Sequence, residues 1–468
     1  MDMEKRTQEL RDRLKYIQDI FAPDENSNVS MLETRFGEFV SRVPELNKQE
    51  AVRQLETLEE LFRFLEKKLE RDLTPMNKVR IVRHPQRICL KDILENVYDN
   101  YTEIGGQDDY SIDPAMLIAR AYITRKRGKK LHHQAVMVIG QEKGHGQEFR
   151  NGGSVKPWGN AKALHYMKVA ETENIPIHTY IFTPGSYPIE DYPGAAQQIA
   201  KNLYEMAGIK VPIVAVISEG GSGGAEAIGL ADTRMMLSHG YYSVISPEGA
   251  AAIEGRLRDG QRAEPELIER CARQLKITAD DNRAMGYVDW RISEPELGAR
   301  PEHYDFFRKL RKAVIRSTDE IVLNVSGLRL FRSIALKRHK GADVYVRWSL
   351  NSRAKERLLW MRYTKYRRMA QFAYTDKRHW FSRGSESLGE MWTALYSYFR
   401  YDLFGKQRKK VTELAEDVQA EMQVVVGRSS RFWKSLVGRL SLGSNKRHVD
   451  KEGLTSLSAW NDSAQSNG

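Results

Sequence analysis

The sequence predicts an α/β fold: a mostly parallel, buried sheet with helices between its strands, preceded by a helical arm and followed by a mainly helical extension. Two observations carry this expectation. Short apolar runs, each ending in a glycine-containing loop and followed by a helical pattern, recur through the middle of the chain, the loops being marked by Gly140, Gly185, Gly221 and Gly249. Residues 211–230 show the unit most clearly. Five apolar residues, 213–217, lead into Glu219-Gly220-Gly221-Ser222-Gly223-Gly224-Ala225, and a helical pattern begins at 225–226 and runs to Leu230. Gly220, Gly221, Gly223 and Gly224 leave the backbone uncovered. A strand that passes through such a turn into a helix aims peptide N–H groups at one place, which suits a negative charge. A tight turn without chemistry is the plainer alternative.

The elements follow in order. Residues 1–19 are charged and helix-prone, and 20–31, with Pro23, Asn26 and Asn28, read as a linker. Over 47–73 the apolar residues Val52, Leu55, Leu58, Leu61, Leu65 and Leu69 recur at helical spacing, as in a packing arm. Thr74 as N-cap with Pro75 at the first helical position opens the next helix. Residues 77–87 gather Lys78, Arg80, Arg83, His84 and Arg87, either as a solvated basic face or as a clamp for the phosphates of a nucleotide-like cofactor such as coenzyme A or for an acidic neighbour. A helix over 91–102 and a polar turn over 105–110 precede paired strands at 115–124 and 133–139, joined by the basic tip 125–130.

The second strand runs into the loop 140–146, which holds Lys143 and Gly144. Open α/β sheets keep their ligands at such strand ends. A Gly/Pro loop at 151–160, a helix at 161–172 and a strand at 177–182 follow, the last ending in Thr183-Pro184-Gly185-Ser186-Tyr187-Pro188. Then come a helix at 195–207, the strand 211–217 and the turn already described. Strands at 234–237 and 242–245, helices at 265–275 and 280–285, a short strand at 290–292 and a long helix at 301–324 complete this part.

Composition narrows the function. There are 468 residues, 41% of them hydrophobic, enough for one large core and a smaller second domain. The net charge of +12 is uneven: residues 311–468 hold 31 Lys/Arg against 15 Asp/Glu, leaving 43 against 47 in the first 310. The basic tail implies an anionic partner. Cys89 and Cys271 are the only cysteines, so neither a disulfide scaffold nor a cysteine-spaced zinc or iron–sulfur site is readable. The start MDMEKRTQELRDRL has no apolar leader and no run reaches 18 apolar residues, so a cytoplasmic protein without a membrane span is expected. No GxGxxG dinucleotide fingerprint and no GxxxxGK[ST] phosphate loop occurs. Ser222 among glycines superficially echoes a nucleophile elbow, with His239 nearby in sequence, but backbone stabilisation of an enolate or carbonyl anion fits the turn better.

After about residue 325 the chain changes character and carries six of its eight tryptophans, mixed with arginines. A helical domain or protein-docking surface is expected over 326–440, with base stacking on nucleic acid the lesser alternative, and a disordered tail over 441–468.

Five strings kept in order over about residues 45–300 make the chain resemble the alpha subunit of the bacterial acetyl-CoA carboxylase carboxyltransferase, of the crotonase superfamily: LTPMNKVRIVRHPQR (73–87), VMVIGQEKG (136–144), FTPGSYP (182–188), IAKNLYEMAGIKVPIVAVISEGGSGGAEAIG (199–229) and YYSVISPEGAAAI (241–253). The resemblance implies a crotonase-like ββα superhelix over 73–325 behind an arm over 1–72. It implies a beta-subunit partner carrying a four-cysteine zinc ribbon, with zinc in the partner alone, and a site shared between the two. Carboxybiotin on a biotin carboxyl carrier protein, charged by a biotin carboxylase, gives up its carboxyl group to acetyl-CoA, which becomes malonyl-CoA, in an α2β2-type assembly. Carried over, the turn Gly220, Gly221, Gly223 and Gly224 holds the biotin ureido oxygen, and Thr183, Pro184, Gly185, Lys143 and Gly144 adjoin it. The segments 145–162 and 189–198 depart from the family pattern, which keeps two alternatives open: another acyl-CoA as substrate, or a non-catalytic scaffold or regulatory homologue. A stand-alone hydratase or decarboxylase using Glu219, Glu226 or Glu248 is the third. The extension is expected to dock on partner subunits or a sister copy, and its removal to leave the core folded.

Overall fold

The computed structural model describes residues 3–21, 27–105, 113–127, 129–145, 151–187, 194–258, 261–326, 345–369 and 392. The expected polar turn at 105–110, the tryptophans at 380, 433 and 460, the rest of the extension and the tail over 441–468 lie largely or wholly outside these residues.

In the described residues the arm holds the α-helices α1 (Met3–Ile20), α2 (Ser27–Arg42) and α3 (Lys48–Arg71). Leu10, Ile17, Val29, Leu32, Leu55, Phe62, Leu65 and Leu69 form one apolar cluster among them. The predicted linker over 20–31 is shorter than expected, because α2 begins inside it. Asn28, a helix-disfavouring residue in isolation, is buried there and accepts from Lys68 Nζ at 3.0 Å, so packing overrides propensity. α4 (Pro75–Arg83) opens as expected, with Thr74 and Asn77 forming a reciprocal capping box.

Among the described residues the sheet has seven strands in sequential order: β1 (Asn100–Glu103), β2 (Met116–Arg127), β3 (Lys130–Gln141), β4 (Ile177–Thr183), β5 (Ile213–Gly221), β6 (Thr233–Ser243) and β7 (Trp290–Ile292). β1–β3 pair antiparallel and β3–β7 parallel. The α/β expectation of a mostly parallel sheet therefore holds. The predicted helix 91–102 stops early: α5 (Leu90–Val97) gives way to β1, whose edge pairing with β2 claims the last residues. α6 (Pro157–Glu173) starts four residues sooner than expected, with Pro157 in its first turn.

Alternation along the strands gives the sheet two faces. Ile177, Ile181, Ile213, Ala215 and Ile217 face α6 and α7 (Ala195–Gly208), meeting Ala163, Met167 and Met206. The opposite face lies under α5 and α12 (Tyr304–Val325): His178 there bonds the Tyr98 hydroxyl at 2.9 Å and Thr318 Oγ1 at 2.8 Å. The two strands expected at 234–237 and 242–245 are one run, yet its pairing with β5 jumps from Met236 to Tyr241 while β5 advances only from Ile217 to Glu219. The break explains why the sequence reads as two pieces. α8 (Ser222–Glu226) is shorter than the predicted helix and begins earlier, inside the glycines. α9 (Pro247–Glu254), α10 (Pro265–Gln274) and α11 (Ala279–Ala284) connect β6 to β7.

α13 (Ser352–Met369) belongs to the same compact unit as residues 1–326. The described part of the extension thus packs on the chain's own core, through Trp348, buried and donating to Asp319 at 2.6 Å, and through the buried Arg362. Among the described residues no helix is long and apolar enough to cross a membrane.

Burial of His178 has a consequence for pH. Desolvation pushes its pKa down to about 3 from 6.5. Between those values the unfolded chain binds the proton and the folded chain does not, so stability is complete above pH 6.5 and falls as pH falls. At pH 5 the loss is about 2 kcal/mol. Urea unfolding of the wild-type chain and of His178→Gln at pH 7.5 and 5 is expected to show the acid-dependent loss reduced by that amount in the variant. Equal losses would dismiss His178 as its source.

Candidate functional site

The site is assembled at the carboxyl ends of the parallel strands β3–β6, where α/β sheets leave a crevice. β5 leaves the sheet through Gly220 and Gly221, and α8 starts at Ser222, whose φ of 50° is unusual for a residue with a side chain. The loop after β4 lies directly against this turn. A Cβ placed on Gly221 would stand 1.7 Å from the Pro184 carbonyl oxygen, and one on Gly224 2.5 Å from the Gly185 carbonyl carbon. At Gly220 it would stand 2.6 Å from the Tyr242 ring. These three glycines are explained by packing inside the chain.

Gly223 and Gly185 are different. A Cβ on Gly223 would meet only Ile199, at 3.6 Å, and one on Gly185 only Ser222 Cβ, at 3.9 Å. Among the described residues nothing requires glycine at either. They form a bare stretch of backbone beside the first turn of α8, whose leading N–H groups have no acceptor within a helix. Thr183 braces the loop, its hydroxyl donating to Gly185 O at 2.7 Å and receiving Gly185 N–H at 3.2 Å.

Gln141 ties the loops together. Its side-chain amide donates to Gly224 O at 2.8 Å, and its oxygen receives the Phe182 N–H at 3.1 Å. The three loops predicted to converge do so over 140–145, 183–187 and 219–225; the remainder of the first two lies outside the described residues. Gln141 escaped the sequence reading, although a polar residue closing the apolar run 135–139 was the available signal.

Beneath the turn lies Glu219, 2% exposed. Lys143 Nζ pairs with it at 3.0 Å and Arg83 Nε at 3.2 Å, and the Tyr241 hydroxyl lies 3.3 Å away. Burial opposes its ionisation, but the charges of Lys143 and then Arg83 outweigh burial and hold its pKa below the usual value. Lys143 also donates to the Val82 carbonyl, and the Gly144 N–H is taken by Glu142 at 2.6 Å. Lys143 and Gly144 therefore brace the turn from behind, their polar groups engaged within the chain.

The other sequence candidates find structural roles. Arg83 bridges Glu219 and Glu248, Arg87 is buried on Glu294 and Ser218, and Arg80 reaches the Ile20 carbonyl. These three arginines of the run 77–87 thus tie elements together, which counts against a phosphate clamp built on them. Both ring nitrogens of His239 meet carboxylates, Glu70 at 2.9 Å and Glu294 at 3.2 Å, so it does not serve Ser222 as a base. Glu219, Glu226 and Glu248 are each paired with arginine. That disfavours the hydratase alternative, which needs a carboxyl group free to exchange protons.

A profile of the family described as "Acetyl co-enzyme A carboxylase carboxyltransferase-like" matches residues 2–332. The chain belongs to this family. Among its relatives are acetyl-coenzyme A carboxylase carboxyl transferase alpha subunits from Dichelobacter nodosus, 36% identical over 59% of this chain and 86% of that protein, and from Staphylococcus aureus, 38% identical over 54% and 78%. One from Nitrosomonas eutropha is 37% identical over 54% and 76%. Among solved structures, the transcarboxylase 12S hexamer is similar at a TM-score of 0.38, with 21% identity over 48% of this chain and 41% of that one. The family match covers the arm, the sheet and α12, while α13 lies beyond it.

Proposed function

We propose that this chain is the alpha half of a biotin-dependent carboxyltransferase, moving a carboxyl group from carboxybiotin on a carrier protein to acetyl-CoA to give malonyl-CoA. Family membership supports the reaction class. The observation that carries the reading is the pair Gly223 and Gly185, bare of side chain where no contact among the described residues demands it. A flat ureido ring fits such an opening, since a Cβ at either position would take up the space.

Biotin supplies a carboxyl carrier whose ureido oxygen becomes more negative as the carboxyl group leaves. The chain's own part is positional. The backbone of 222–224 would hold that oxygen through its N–H groups, each donor of this kind contributing about 3 kcal/mol in acyl-transfer sites. Thr183 and Gln141 hold the two loops at a set spacing, and Lys143 and Arg83 are balanced by Glu219 and Glu248 beneath the turn.

A zinc-ribbon beta subunit supplies the thioester side of the cleft in this reading, within an α2β2-type hetero-oligomer served by a biotin carboxyl carrier protein and a biotin carboxylase, in the cytoplasm. Val244, 80% exposed, and Ile253, 71% exposed, lie just beyond β6 and on α9, and support a partner surface beside the turn. The test is co-expression with the beta subunit and assay of malonyl-CoA formed from carboxybiotin and acetyl-CoA. Formation of malonyl-CoA by the pair, and none by either chain alone, is expected. A pair that transfers to no short acyl-CoA would leave the scaffold alternative.

A further inference from the structure

We propose that Cys89, Asp92 and His145 form a binding site for a zinc-type divalent cation in this chain, separate from the glycine turn and from any partner's zinc. The three come together from distant sequence. Cys89 precedes α5, Asp92 lies in its first turn, and His145 stands just beyond β3. Their donor atoms all lie within 4.8 Å of one another. His145 Nε2 is 3.3 Å from Cys89 Sγ and 2.8 Å from Asp92 Oδ2.

The orientation separates a cation site from an acid–base relay. In a relay the imidazole stands between its partners, one ring nitrogen toward the nucleophile and the other toward the carboxylate. Here thiol and carboxylate both face Nε2, so three donors converge on one point. Nδ1 faces the Pro85 carbonyl at 3.0 Å. A backbone carbonyl can only accept, so Nδ1 carries a proton and Nε2 is the nitrogen left to ligate, the usual outer arrangement of a metal-bound histidine.

Thiolate, imidazole and carboxylate are the donor types zinc takes, and three protein ligands leave a fourth position for solvent. Cys89 closes the site from within at 2% exposure, while the His145 side chain, 40% exposed, leaves it reachable. The surroundings are fixed: Asp92 Oδ2 receives the Cys89 N–H at 2.8 Å, and Glu142 receives the Lys91 N–H at 2.8 Å and the Gly144 N–H at 2.6 Å. Charge also balances. A divalent cation beside one thiolate and one carboxylate is neutral, with the Sγ proton and any proton on Nε2 released to solvent.

Two residues before His145, Lys143 pairs with Glu219 under the glycine turn, so a bound cation would fix the loop that braces the site. The proposal does not depend on what the turn binds.

The test uses the untagged full chain, expressed without partners, stripped with chelator and titrated with zinc chloride or cobalt chloride. One equivalent per chain is expected, and the cobalt form should show a thiolate-to-cobalt charge-transfer band. His145→Gln, at an exposed position, should lose the equivalent with its circular dichroism unchanged, and Cys89→Ser should lose the band. Wild-type chain holding no more cation than His145→Gln, or a cobalt spectrum the same in Cys89→Ser, would overturn the proposal.

Discussion

Gly221→Ala is expected to cost the assembled enzyme at least ~10²-fold in transfer rate and to destabilise the chain, whereas Gly223→Ala is expected to slow transfer by about 10²-fold at unchanged stability. The two positions stand two residues apart in one turn, and their surroundings set the difference. An alanine methyl at 221 would lie 1.7 Å from the Pro184 carbonyl oxygen, so either the turn or the 183–187 loop must move. Overpacking of this kind costs about 1–3 kcal/mol, and a shift of either loop misplaces the donors. At 223 the same methyl meets Ile199 at an ordinary 3.6 Å, so the chain accommodates it. Thermal unfolding of each variant beside malonyl-CoA formation with the beta subunit separates the two effects. Full activity in Gly223→Ala would mean that no substrate group approaches that backbone.

Arg362→Met is expected to lower unfolding stability by about 3–5 kcal/mol, the range for removing one partner of a buried ion pair. Arg362 is 2% exposed. Its guanidinium forks onto both oxygens of Asp232 at 2.8 Å and also donates to the carbonyls of Met206 at 2.9 Å, Ile209 at 2.6 Å and Val211 at 3.1 Å. Asp232 in turn receives the Ile213 N–H at 2.8 Å, where β5 begins. One side chain of the extension therefore holds the end of α7 and the start of the strand that carries the glycine turn. The variant leaves Asp232 buried without its cation. Denaturant midpoints of Arg362→Met, Asp232→Asn and the double variant measure the coupling. A loss under about 1 kcal/mol would return α13 to the role of a surface appendage. Deleting 326–468 is accordingly expected to destabilise the core, in contrast to what the sequence implied.

Much of this architecture is legible in the chain itself. The capping box at Thr74 and Asn77 is local chemistry, and so is the apolar run 213–217 ending in glycines. The basic run 77–87 was legible only as a composition. Whether Arg83 and Arg87 meet solvent, phosphate or glutamate depends on Glu219 and Glu294, more than 130 and 200 residues away. The start of α2 is hidden because Pro23, Asn26 and Asn28 together read as a linker, and β1 because an edge strand of four residues carries almost no pattern of its own.

The sequence by itself determined the fold class, the family and the address of the turn at 220–224, because hydrophobic period and glycine placement act over a few residues. Tertiary structure decided which glycines answer to internal packing and which lie bare, that Lys143 faces Glu219, and that Cys89 and His145 share one point 56 residues apart in the chain. Those outcomes turn on distances between segments, and a linear pattern holds no distances beyond the next turn of helix or strand.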